Sequence, residues 1–160
     1  MHPLNSGALP ALAVAATLLA TYCAPTGPGN PASAVAKSST EMAFCVDEIN
    51  RYRALVGQPA LTRSSPLEDY AADSARVDAA ARVAHRHFTE QNGGGVARAE
   101  NELLAWPNFD VHAVLEQGLA SMWNEGPTGE HYQIMVGPYT EVGCGLAVTG
   151  ADITIAQDFR

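Results

Sequence analysis

Two histidines, His85 and His87, stand two apart in Ala84-His85-Arg86-His87-Phe88, and Glu100 and Glu102 follow in Ala99-Glu100-Asn101-Glu102. Further on, Glu125 ends Met122-Trp123-Asn124-Glu125, and His131 lies in Glu130-His131-Tyr132-Gln133. Two imidazoles with two carboxylates suit a divalent metal such as zinc. The same groups suit general acid–base work. Each also has a plainer role. A lone histidine at a helix end caps it or packs at the surface, and Glu102, Glu116 and Glu130 read as solvated charges. His112, in the first turn of a helix, reads as exposed.

Nucleophilic chemistry finds less support. The chain has no Gly-x-Ser-x-Gly. Cys144 alternates onto the apolar face of a strand, which makes a buried, inert thiol rather than a reactive one. Gly93-Gly94-Gly95 lacks the Lys-Ser/Thr that a phosphate loop requires.

The elements that must position these groups follow from periodicity. A first helix is expected from Glu41 to Val56, with Met42, Cys45, Val46, Ile49, Tyr52, Arg53 and Val56 on one stripe, Ser39 or Thr40 as its cap and Gly57 and Pro59 as its end. A second starts at Ser65 as N-cap, with Pro66 at the first position and Glu68 completing a capping box. Leu67, Tyr70, Ala71, Ser74, Val77, Asp78 and Ala81 make its inner face, and its alanines imply a close neighbour. His85 to Trp106 shows no sustained period and reads as mostly loop. A third helix begins near Asp110, with Phe109 and Val114 as a hydrophobic staple, and Gly126-Pro127 stops it. Val142, Cys144, Leu146 and Val148 alternate, as do Ile153, Ile155 and Phe159, around a turn over 149–152; this is an antiparallel hairpin. Helices first and a hairpin last predict an α+β fold.

The N-terminal part is different in kind. Residues 1–36 contain no Lys, Arg, Asp or Glu, and Ala8–Ala20 is an apolar run. It is shorter than the roughly 20 residues of a membrane-spanning helix and matches the apolar centre of a secretory signal peptide. Residues 1–36 are therefore expected to be signal peptide and linker, with cleavage after Ala34 or Ala36 and a secreted product. The alternative is a lipoprotein anchored through Cys23, with residues 25–33 as its tether, although Tyr22 is bulky for that signal. Loss of Cys23 leaves Cys45 and Cys144. They form either one disulfide, which export favours, or two separate buried thiols.

The 160 residues suffice for one domain, and 47% hydrophobic with 16% charged residues argues against disorder. The formal charge of -8 and the scatter of Arg76, Arg82 and Arg86 among alanines and acids exclude a nucleic-acid surface.

In order along the chain, Asn50 and Arg53 in Ile-Asn-Arg-Tyr-Arg, Leu61, an alanine-rich helix and a histidine are followed by Ala99-Glu100-Asn101 and Met122–Glu125. His131-Tyr132-Gln133 and Val142-Gly143-Cys144-Gly145 close the series. This resembles the CAP superfamily of cysteine-rich secretory, antigen-5 and pathogenesis-related-one proteins over residues 41–160. The resemblance implies an α-β-α sandwich with a small central antiparallel sheet. It also implies a cleft tetrad of His85, Glu100, Glu125 and His131, which would carry any catalysis. His85 and His131 would be the metal ligands. Ala84-His85-x-x-Phe88 favours His85, with His87 as the competitor. Ala99 stands where the family has Gly, and only six positions separate Glu125 from His131. The resemblance implies a secreted binding module for a metal, a lipid or sterol, a polysaccharide or a protein. A metal-dependent hydrolase or peptidase is the second reading, and a structural or toxin-like protein the third.

Overall fold

The computed structural model describes residues 31–107 and 110–160. The apolar run Ala8–Ala20, the Cys23 alternative and the Phe109 staple all fall outside those residues.

Helix α1 spans Pro31–Leu55. It starts at Pro31 rather than Glu41, so its first turns include Ala34 and Ala36. Its expected stripe is otherwise inside: Met42, Cys45, Val46, Ile49, Tyr52 and Arg53 are buried, while Val56, beyond the helix end, is exposed.

Helix α2 spans Ser65–Ala81, one position earlier than expected. Ser64 is the N-cap, without a side-chain bond to the helix. Glu68 makes no capping box, because its carboxylate pairs with Arg63 instead. Leu67, Ala71, Ser74, Ala75, Asp78 and Ala79 are the buried face.

The stretch after α2 overturns the loop expectation. It forms helix α3 (Arg86–Gln91), a 3-10 turn (Asn92–Gly95) and strand β2 (Ala99–Pro107). In β2 the alternation is hidden, because Glu100 and Glu102 occupy one buried face while Asn101 and Leu103 occupy the other. A strand with polar groups on a buried face carries no hydrophobic period.

Helix α4 (Val111–Asn124) is capped by Asp110, whose carboxylate accepts from the amides of His112 and Ala113 at 3.0 and 3.4 Å. A short helix α5 (Glu130–Met135) follows, which the sequence did not announce. Strands β3 (Glu141–Thr149) and β4 (Asp152–Phe159) make the expected antiparallel hairpin. The two-residue β1 (Thr62–Arg63) adds in parallel to β3, giving the order β1-β3-β4-β2 and leaving β2 at an edge.

The sheet is filled on both sides, as an α-β-α sandwich. On one face α2 lies against β3 and β4. A Cβ built on Gly145 would come within 2.0 Å of the Ala72 nitrogen, so this glycine admits the helix backbone itself. On the other face α1, α4 and α5 enclose the main core, which includes Ile49, Leu115, Leu119, Met135, Ile155 and Phe159. Cys45 of α1 and Cys144 of β3 are joined there as a disulfide, both fully buried, with Cα atoms 6.4 Å apart. Of the two states left open by the sequence, the bonded one is realised.

Candidate functional site

The edge position of β2 brings the two helical layers to one cleft. Glu100 turns toward the α2 side, and α5 carries His131 on the other side. Two buried polar side chains fix α5. Asn101 donates through Nδ2 to the carbonyl of His131 at 3.1 Å. Arg53 is 1% exposed and donates through Nη1 to the carbonyls of Met135 and Gly137, both at 2.9 Å. Those carbonyls lie at the C-terminal end of α5, where a cation is favoured. Burial lowers the Arg53 pKa, while its Nε donates to the carbonyl of Pro59 at 3.0 Å.

His85 sits between α2 and α3 with φ 57, in the left-handed region that β-carbon-bearing residues seldom enter. Two carboxylates hold it there. Its amide donates to Glu102 Oε2 at 2.8 Å, and its ring Nδ1 pairs with Glu100 Oε1 at 2.9 Å. The bond to Glu100 raises the imidazole pKa above its usual value, against the effect of burial. Across the cleft, His131 Nδ1 pairs with Glu125 Oε1 at 2.6 Å, and Glu125 Oε2 accepts from the His131 amide at 3.1 Å.

His85, Glu100 and His131 line one cavity of about 380 Å³, with Phe88, Arg98 and Ile134 among its walls. Glu125 touches His131 but is not on the wall. His87 is elsewhere: its amide donates to Asp78 Oδ1 at 2.9 Å and its ring lies 5.0 Å from that of Tyr70. The cavity wall therefore takes His85 of the two.

Several plain readings of single residues fail. Glu102 is buried rather than solvated, and burial pushes its carboxyl up to about 7. His112 is not free in solvent: it stacks on Phe44 at 4.2 Å and its Nε2 meets Glu41 Oε2 at 2.6 Å. Glu116 and Glu130 are exposed as expected, although Glu130 also borders the cavity.

Asp158 went unnoticed in the sequence. It stands directly opposite Glu100 across the β2–β4 pairing. It is fully buried, and burial, followed by the Glu100 charge, pushes its carboxyl up to about 9. Its trace in the sequence is an acid inside the terminal strand, next to the apolar Phe159. Asp78, placed correctly on the inner face of α2, is also fully buried, and burial raises its pKa.

A metal fits the donor set. Each cleft imidazole has Nδ1 engaged by a carboxylate, which leaves Nε2 as the ligating nitrogen and orients the ring. His85, Glu100 and Glu102 also offer ligand atoms within 4.8 Å of one another.

A helix-coated sheet with an acid–imidazole cleft at its edge defines an SCP-type domain. The chain belongs to the CAP family, the Cysteine-rich secretory protein family, whose sequence model matches residues 46–159. An outer surface protein of Borrelia burgdorferi superposes with a TM-score of 0.54 at 14% identity, over 77% of this chain and 94% of that one. A cysteine-rich secretory protein of Staphylococcus aureus gives 0.54 at 16% identity, over 79% of this chain and 41% of the other. An extracellular protein of Bacillus anthracis containing an SCP domain gives 0.54 at 17%, over 84% and 45%. This chain thus spans less than half the length of the last two. At such identities the likeness is one of fold. A search of curated proteins gives no match.

Proposed function

We propose that this protein is an exported CAP binding module whose cleft holds a divalent metal of the zinc class through His85 and His131. One observation carries the reading: each imidazole is backed at Nδ1 by its own carboxylate, Glu100 or Glu125. A carboxylate on the far nitrogen of a metal-binding imidazole fixes the tautomer that presents Nε2 and raises its basicity. The bound metal would supply Lewis acidity to an oxygen ligand. Phe88 and Ile134 give the cavity apolar surface beside the charged Arg98 and Glu130. Such a wall suits a ligand with one polar edge and one apolar face, as lipids, sterols, polysaccharides and protein segments have.

Export is supported by the uncharged N-terminal 36 residues and by the buried disulfide, which needs an oxidising compartment. The related structures are described as secretory, extracellular or outer-surface proteins. No helix among the described residues is long and apolar enough to cross a membrane. Hydrolysis ranks second: the same metal could polarise a carbonyl.

Calorimetric titration of the chelator-stripped protein with zinc tests the reading. One equivalent should bind, and His131→Ala should abolish uptake without altering the circular dichroism. Absence of zinc binding by the unaltered protein would overturn it.

A further inference from the structure

Among the described residues every arginine but one is paired. Arg51, Arg63, Arg76, Arg82, Arg86 and Arg160 each meet a carboxylate, and Arg53 meets carbonyl oxygens. Arg98 is the exception. Its backbone amide donates to the Phe159 carbonyl at 2.8 Å, just before β2 begins, but its guanidinium has no acceptor among the described residues. It stands on the wall of the cleft cavity. Two acids share that wall. Glu100 is taken up by the His85 ring, and Glu130 makes no ion pair with Arg98.

A guanidinium presents its N–H groups in a fixed planar fork, which matches a carboxylate through two parallel bonds. Phe88 and Ile134 give the same cavity apolar surface. Ala99 and Glu100 also line it, and they belong to β2, the edge strand of the sheet. An edge strand keeps a row of outward N–H and C=O groups without a strand partner. Among the described residues no backbone group outside the sheet takes up those of Ala99 or Glu100. An unpaired cation, an apolar wall and an unpaired strand edge therefore meet at one cavity of about 380 Å³. A carboxylate at the end of a peptide satisfies all three.

We propose that the cavity binds the C-terminal end of a peptide, with the peptide's carboxylate on Arg98. The terminal side chain, an apolar one, lies against Phe88 and Ile134, and the preceding amides pair with the edge of β2. Strand addition of this kind draws affinity from main-chain bonds and specificity from the pockets beside them. Glu130, the other charged residue unpaired on that wall, opposes an anion rather than holding it. The proposal rests on the reading of this cavity as a binding site and narrows its ligand to one class, but it needs no metal.

The probe is a short acetylated peptide ending in leucine with a free carboxylate. It is titrated into the full chain after metal has been stripped and the chelator dialysed away. Its affinity should fall with rising salt, because Arg98 is exposed. The same peptide as its C-terminal amide should bind about tenfold or more weakly. Arg98→Gln should weaken the acid by a similar factor with unchanged circular dichroism, and should leave the amide unaffected. Glu130→Gln should bind the acid at least as tightly as the unaltered protein. Hexanoate, which has the carboxylate but no amides for β2, should bind about fivefold or more weakly than the peptide acid. No binding of the peptide acid overturns the proposal. So does an acid that binds no better than its amide, binding that survives Arg98→Gln or is lost in Glu130→Gln, or hexanoate that binds as well as the peptide. Zinc uptake by the same samples separates the two readings. Zinc binding without peptide binding refutes only the peptide site, and peptide binding without zinc binding refutes only the metal.

Discussion

The backbone of His85 is held by the side chain of Glu102, seventeen residues away: the His85 amide donates to Glu102 Oε2 at 2.8 Å. This bond pins a residue in the left-handed conformation, at φ 57. Such a conformation costs on the order of 1 kcal/mol and persists only where the surroundings impose it. Glu102 is thus a positioning residue, and the direction of the His85 ring depends on it.

Removing that acceptor should loosen the imidazole. Glu102→Ala is expected to weaken zinc binding by about tenfold or more. Glu102→Gln, whose amide oxygen can still accept, should leave zinc binding close to that of the unaltered protein. Equal zinc affinities for Glu102→Ala and the unaltered protein would show that Glu102 does not position His85.

Gly145 sets the distance between α2 and the sheet. Its Cβ position lies 2.0 Å from the Ala72 nitrogen and 2.2 Å from the Ala71 carbonyl carbon. Neither is the tip of a flexible side chain, so the helix must lift. Gly145→Ala should destabilise the domain by about 1–3 kcal/mol in urea. An unchanged midpoint would mean that α2 is not seated as described.

The Cys45–Cys144 bond closes 99 positions of chain and lies wholly inside the core. Chain entropy puts its worth at about 4–5 kcal/mol. Native protein should resist dithiothreitol, while urea-unfolded protein should reduce at once. Cys45→Ala with Cys144→Ala should lower the urea midpoint sharply. Fast reduction of the native protein would contradict the burial.

The acids behind His85 predict a pH dependence for protein kept free of metal. The folded pKa values of Glu102 and Asp158, about 7 and about 9, lie above their ordinary values of 4.5 and 3.8. The folded state therefore binds these protons more tightly than the unfolded one. The stability this contributes is fully present below about pH 4 and is lost as pH rises through about 7 and then about 9. His85, also raised, acts in the same direction. Urea unfolding in chelator should show stability falling from pH 5 toward pH 9, and Asp158→Asn should flatten the alkaline part. A profile that Asp158→Asn leaves unchanged would contradict the assignment.

How much of this was legible depended on which force set each element. The stripe of α1, the hairpin and the start of α4 near Asp110 follow from hydrophobic period, so they read directly. β2 did not, because its inward Glu100 and Glu102 look like surface charges. Glu102 and Asp158 sit where only the strand register brings them together, and register is tertiary information. α5 is short and is held from outside, by Asn101 and Arg53, so no local signal announces it. His85, Glu100, Glu125 and His131 were chosen by motif order, since the distance along the chain says nothing of a shared cleft.

The most direct measurement is an anomalous difference map at the zinc edge from crystals of the protein soaked in zinc. The account predicts one strong peak in the cleft, about 2.0–2.1 Å from Nε2 of both His85 and His131, with Glu100 and Glu125 still on the two Nδ1 atoms. A cleft without a peak, or a peak bound by only one of these histidines, would contradict it.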